Sequence, residues 1–164
     1  MSEVAEAIIA RVREDYSGDI LEATTMGRHE LVFTVAPDDI GVFTKFIVEY
    51  GWWHLSTITG VDEGEEISIL YHLCGEGPPA ATIKTAVPKA AAKIQSITSV
   101  IPGATMYERE VHDLLGVEFD GHPRLDRLVL PDDWPEGVYP LRIEEIEKQA
   151  ERDKEEKEKK EENG

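Results

Sequence analysis

Apolar residues first recur at three- and four-residue spacing. Over residues 3–16, Val4, Ala7, Ile8 and Val12 share one predicted helical face, and Glu3 and Glu6 fall in the first turn, where the helix dipole favours acids. The period then shortens. Residues 19–25 and 30–36 read as strands around the turn Met26-Gly27-Arg28-His29, with Leu31, Phe33 and Val35 alternating with Val32 and Thr34. Pro37-Asp38-Asp39 opens a second helix with Ile40, Phe43, Phe46, Ile47 and Tyr50 on one face, and Gly51 stops it. Residues 54–61 and 67–74 predict a hairpin across Asp62-Glu63-Gly64-Glu65, followed by a loop at 75–79 and a strand at 81–87. Pro88 opens a third helical pattern, 89–100, with Ala91, Ile94, Ile97 and Val100 apolar. Pro102-Gly103 separates it from a helix at 105–115, with Tyr107, Val111, Leu114 and Leu115 turned inward. The order predicts an α+β fold: a mixed or antiparallel sheet with helices packed on one side.

From Gly116 the pattern breaks. Pro123, Pro131, Pro135 and Pro140 deny regular helix, yet Phe119, Leu125, Leu128, Val129, Leu130, Trp134 and Tyr139 are too apolar for a solvated loop. Such a segment makes sense as an extended strap lying on another protein. Residues 143–164 differ again, being charged at 16 of 22 positions. The reading is an α+β domain at 1–116, an extended docking segment at 117–142 and a charged tail at 143–164, helical or disordered, with i,i+4 pairs such as Glu144–Lys148 and Asp153–Lys157.

The net charge is −17, of which the tail, with ten acids against six bases, holds −4. Acidity of that size argues against nucleic acid and anionic membrane surfaces and suits docking on a basic partner. No apolar run approaches the roughly 20 residues that cross a bilayer. The N-terminal stretch has acids where a signal peptide has bases, so the expected place is the cytoplasm. Cys74 is the single cysteine, too few for a disulfide, a zinc cage or an iron–sulfur cluster. His112 and Glu108 lie four apart on one helical face, but no HExxH arrangement completes a metal site. The serines lack a nucleophile elbow, and the glycines form neither GxGxxG nor GxxxxGK[ST]. Trp52-Trp53 reads as core and rim. Arg109, between Glu108 and Glu110, is expected to pair with one of them and hold both ionised. These residues carry charge, fixed backbone and apolar anchors, which suits docking better than catalysis.

The string YEREVHDLLGVEFDGHPRLDRLVLPDDWPEGVYPLR, from Tyr107 to Arg142, resembles the signature of the thirty-kilodalton subunit of respiratory complex I and its relatives in energy-converting hydrogenases. The matching residues are Glu108, Arg109, Glu110, Asp113, Leu114, Gly116, Phe119, His122, Pro123, Leu125 and Arg127. The runs Leu55-Ser56-Thr57-Ile58-Thr59-Gly60-Val61-Asp62 and Ile97-Thr98-Ser99-Val100-Ile101-Pro102-Gly103-Ala104 are similar to the family as well. The resemblance implies an α+β subunit without catalytic residues or a cofactor of its own, in the peripheral arm of a membrane-bound, ion-translocating oxidoreductase. It implies docking on a hydrogenase-like large subunit, near a small subunit that holds the terminal iron–sulfur cluster. The chain would sit at the cytoplasmic face of the membrane, held through its partners. The implied docking residues are Glu108, Arg109, Glu110, Asp113, Phe119, His122, Pro123, Leu125, Arg127, Leu128, Leu130, Trp134 and Arg142. The ending Tyr139-Pro140-Leu141-Arg142-Ile143-Glu144 departs from the family's usual His-Pro-Leu-Arg-Lys-Asp. The short chain and Lys/Glu-rich tail look like the membrane-bound hydrogenase version and a thermophile. NADH, reduced deazaflavin or ferredoxin stay open as donor, and quinone, protons or a sulfur compound as acceptor. A stand-alone acidic binding module, acting as assembly factor or regulator, is the alternative.

Overall fold

The computed structural model describes residues 3–27 and 29–162. The elements are α1 (Glu3–Asp15), β1 (Glu22–Met26), β2 (Glu30–Thr34), α2 (Ile40–Tyr50), β3 (His54–Asp62), β4 (Glu66–Gly75), β5 (Gly77–Pro88), β6 (Lys93–Gln95), α3 (Ala104–Leu115), β7 (Glu118–Asp120) and α4 (Ile143–Glu162). Five strands form one sheet in the order β1-β2-β5-β4-β3, and β6 pairs with β7 in a second. The β2–β5 seam is parallel, with Phe33 opposite Ile83, and the other pairs of the large sheet are antiparallel. The α+β fold with a mixed sheet is the one the pattern predicts.

Strand alternation sends Ile67, Ile69, Tyr71 and Leu73 of β4 to one face, beside Phe33 of β2 and Ile83 of β5, and all six are fully buried. Ile40, Phe43 and Ile47 of α2 and Val111 and Leu115 of α3 join them in one cluster. Each such side chain contributes about 1.5–3 kcal/mol on leaving water. Gly60 of β3 lets α3 come close, because a Cβ there would overlap Leu115.

The differences from the pattern are local. The inward stripe of α1 is Ala5, Ile9 and Val12, continued by Tyr16 against Phe43, while Val4 is exposed. The loop at 75–79 is instead a tight turn, with β4 running to Gly75 and β5 starting at Gly77. Gly75 lies against the Gly51 carbonyl, where no Cβ fits, and Gly77 takes a φ of 91°. The helix at 89–100 does not form. A short 3-10 turn at Lys89–Ala91 leads into β6, then turns. Ile94 and Ile97 are buried as the spacing demands, but a strand followed by a turn buries them equally well. The β-branched and hydroxyl residues of IQSITSV weaken the helical alternative, and Ser96 bonds locally to Thr98 at 2.7 Å. The segment expected from residue 117 as an extended strap starts inside the domain, since β7 pairs with β6 and Phe119 is buried. The tail is helical through Glu162. The expected turn residue Arg28 lies outside the described residues, as do the side chains of the predicted tail pairs at Lys157, Lys159 and Lys160.

Candidate functional site

Helix α3 and the irregular chain after it form one unit. The outer side of α3 sends two polar side chains to the strap backbone. Asp113 Oδ2 accepts the N–H groups of Leu128 at 3.0 Å, Val129 at 2.8 Å and Leu130 at 2.8 Å. Burial raises the carboxyl's pKa, but the three backbone donors outweigh it, so Asp113 titrates below the usual range. Arg109 donates to the carbonyls of Asp126 at 2.9 Å and Arg127 at 2.6 Å. Arg127 in turn donates to the carbonyls of Pro131 at 2.8 Å, Asp132 at 3.2 Å and Trp134 at 2.7 Å. Arg142 donates to Leu115 O, at the end of α3, at 2.9 Å, and stacks over Tyr139 at 4.6 Å. Gly116, at φ 72°, ends the helix and leaves room for the Tyr139 ring, which a Cβ would strike. A backbone without helix or sheet must find partners elsewhere, and these side chains supply them.

The inner side of α3 carries Glu108, fully buried. Its carboxylate accepts the Ser96 hydroxyl at 2.6 Å and the Ile97 N–H at 2.8 Å. Burial pushes its pKa up to about 7 against those two donors. This reverses the sequence expectation, because Arg109 turns away to the strap carbonyls. His122, with its ring also fully buried, has Nε2 3.1 Å from Thr105 O and 4.0 Å from Glu108 Oε2. Its Nδ1 accepts the Arg124 N–H at 3.1 Å, so the proton sits on Nε2. The Tyr71 hydroxyl is buried without a hydrogen-bond partner among the described residues, and burial together with the Glu108 charge raises its pKa well above normal.

The residues expected to touch a partner therefore divide. Glu108, Asp113, Phe119 and the His122 ring are sealed in this chain, so their side chains shape the segment from within. Arg109, Arg127 and Arg142 are committed to carbonyls of their own chain. Leu125 packs against the core, and Leu130 and Trp134 are half-buried. Glu110, Pro123, Leu128 and the neighbouring Val129 are exposed.

The pattern missed a second anchor. Asp62 Oδ2 accepts the Ile143 N–H at 3.0 Å and pairs with Lys89 at 2.6 Å, and Lys89 also reaches Glu144 at 2.5 Å. Asp in a hairpin turn signalled only the local bond to Gly64 N–H. His112 Nδ1 lies 2.9 Å from Val117 O. Among the described residues no group of three or more His, Cys, Asp or Glu side chains could hold a metal ion, and no helix is long and apolar enough to cross a membrane.

A family model described as "Respiratory-chain NADH dehydrogenase, 30 Kd subunit" matches residues 33–150. The chain belongs to that family. Within the 30 kDa family, it is 32% identical over 148 residues to a subunit of the NADH-quinone oxidoreductase of Geobacter metallireducens, covering 87% of this chain and 89% of that protein. It is 30% identical over 148 residues to the beta subunit of the membrane-bound hydrogenase of Pyrococcus furiosus, covering 86% of each. Among solved structures it superposes on a protein of the membrane-bound sulfane sulfur reductase, an archaeal respiratory membrane complex, with a TM-score of 0.76, 29% identity and coverage of 90% and 91%.

Proposed function

We propose that the chain is a structural subunit in the peripheral arm of a membrane-bound, ion-translocating oxidoreductase. It docks through the strap and α4 on a hydrogenase-like large subunit, beside a small subunit with an iron–sulfur cluster, at the cytoplasmic face. It holds no cofactor and no catalytic residue of its own. Donor and acceptor chemistry, whether NADH, deazaflavin or ferredoxin on one side and quinone, protons or sulfur on the other, belongs to the partners.

One observation carries this reading beyond family membership. Of the charged signature residues, Arg109, Asp113 and Arg127 spend their hydrogen bonds on the strap's own backbone, and apolar side chains of the strap face out. Leu128 is 36% exposed, Val129 55%, Leu141 46% and Ile146 of α4 51%. A groove of about 770 Å3 runs between the strap and α4, bordered by Trp134, Val138, Pro140 and Ile146. An apolar surface held on a rigid irregular frame is what a permanent interface needs.

Capture of the tagged chain from native membranes tests the proposal. The expected eluate contains the large subunit and the iron–sulfur subunit. Leu128→Asp with Val129→Asp should cut recovery of both by at least about tenfold, a loss of roughly 1.4 kcal/mol or more, with the melting temperature unchanged. Recovery of the native chain alone, or undiminished recovery with the variant, would overturn the docking surface.

A further inference from the structure

A cavity of about 190 Å3 is lined by Thr57, Ile58, Thr59 and Gly60 of β3. Side chains of consecutive strand residues point to opposite faces. The cavity borders four consecutive residues of β3, so it runs along that strand. β3 is a terminal strand of the sheet, paired to β4 alone. The opposite wall is α3, through Glu110, Val111 and Leu114.

The free edge is bounded at its downstream end. Upstream, a bulge between Leu55 and Thr57 shifts the β3–β4 register. Downstream the strap crosses, with Leu141 N–H on Leu114 O at 3.1 Å and Ile143 N–H on Asp62 at 3.0 Å. Between them about five residues remain, a length of roughly 16 Å. The cavity is below the roughly 300–1,000 Å3 of small-molecule sites. It is bordered by β3 on one side and by Val111, Leu114, Leu115 and Leu141 on the other, and Glu110 is among its lining residues. That carboxylate is exposed and makes no ion pair or hydrogen bond among the described residues.

We infer that the β3 edge takes an extended segment of a neighbouring subunit as a sixth strand, with an apolar side chain turned under α3 and a basic side chain meeting Glu110. The main chain of such a segment satisfies the unpaired edge, Leu114 and Val111 receive the apolar side chain, and the charge match fixes direction and register. The inference rests on the subunit reading for the existence of a partner, and it adds the mode of contact. It also covers one of the two terminal strands of the sheet.

Hydrogen exchange at single-residue resolution, on the free chain and on the complex recovered from membranes, tests it. In the complex, every second amide between Thr57 and Val61 should slow by at least about 100-fold, while the amides already paired with β4 keep their rates. Leu114→Gln should leave the melting temperature in place and return those amides to the rates of the free chain. Glu110→Lys should do the same more weakly. A recovered complex in which these amides exchange as in the free chain overturns the added strand and leaves the subunit reading standing. Uniform slowing along the segment means simple cover and also overturns it. Slowing that grows with concentration of the free chain assigns the edge to a second copy, against the inference. Recovery of no partner defeats both readings.

Discussion

At neutral pH the carboxyl group of Glu108 stands close to half-protonated, because burial has moved it from an ordinary 4.5 to about 7. The folded chain thus holds this proton more tightly than the unfolded chain does. The resulting stabilisation is complete below about pH 4.5 and is lost as pH rises through 7. Between pH 6 and 8 the loss is roughly 1 kcal/mol, or about 2–4 °C in melting temperature for a chain of this size. Asp62, Asp113 and Glu144, all held below their ordinary values, act in the opposite sense and in a separate, acidic window. Glu108→Gln is therefore expected to flatten the melting profile between pH 6 and 8 and leave the acid limb unchanged. A profile as steep as the native one would show that another group titrates there. None of this was legible in Glu-Arg-Glu. Spacing places Glu108 on a helix, but only the packed structure shows that Ser96 and the Ile97 N–H wait for it on the inner side.

Among the elements, α2 was readable because its apolar face, its Pro-Asp-Asp entry and its Gly stop all agree. The stretch at 89–100 was not, because two buried isoleucines three apart serve a helix and a strand-turn alike. What decides between them is β7, a partner 25 residues away in sequence, counted from Ile94 to Phe119. The strap was readable as irregular and apolar, yet the three arginines and Asp113 that hold its backbone looked like interface charges. In α4 the pattern showed helical charge pairing and missed the anchor. Glu144 bonds to Lys89, not Lys148, which reaches Glu145 instead at 2.6 Å. The anchor lies wholly in the first turn. Truncation after Gln149 is expected to leave the melting temperature unchanged within about 1 °C, since surface charges away from packed features contribute little. Lys89→Ala should speed proteolysis near Ile143 and lower the melting temperature at neutral pH, because the nearly buried Asp62 loses its ion pair. A melting temperature that falls with the short truncation would mean that the distal helix packs on the domain.

The whole molecule combines one packed core with an acidic chain. Its sheet and helices bury one core, and its strap and α4 hold apolar groups outward within an envelope of net charge −17. One cysteine, and no metal-holding cluster among the described residues, lead to a direct expectation for the purified chain. It should be colourless, with less than about 0.1 equivalents of iron, zinc or flavin by elemental analysis and absorbance. Stoichiometric iron would place a redox centre in this chain and overturn the proposed structural role.

The parallel seam between β2 and β5 also sets an order of events during synthesis. It joins Glu30 to Ala80 and Phe33 to Ile83, contacts fifty residues apart. The β1–β2 hairpin leaves the ribosome well before β5, with Leu31 and Phe33 bare. It must wait through α2, β3 and β4 for its neighbour. At about 5–20 residues per second that interval lasts roughly 3–10 seconds. The β3–β4–β5 meander, by contrast, can close turn by turn as it emerges. The nascent chain therefore passes through a period in which its first hairpin needs shelter, and the last long strand to be made is the one that ends it.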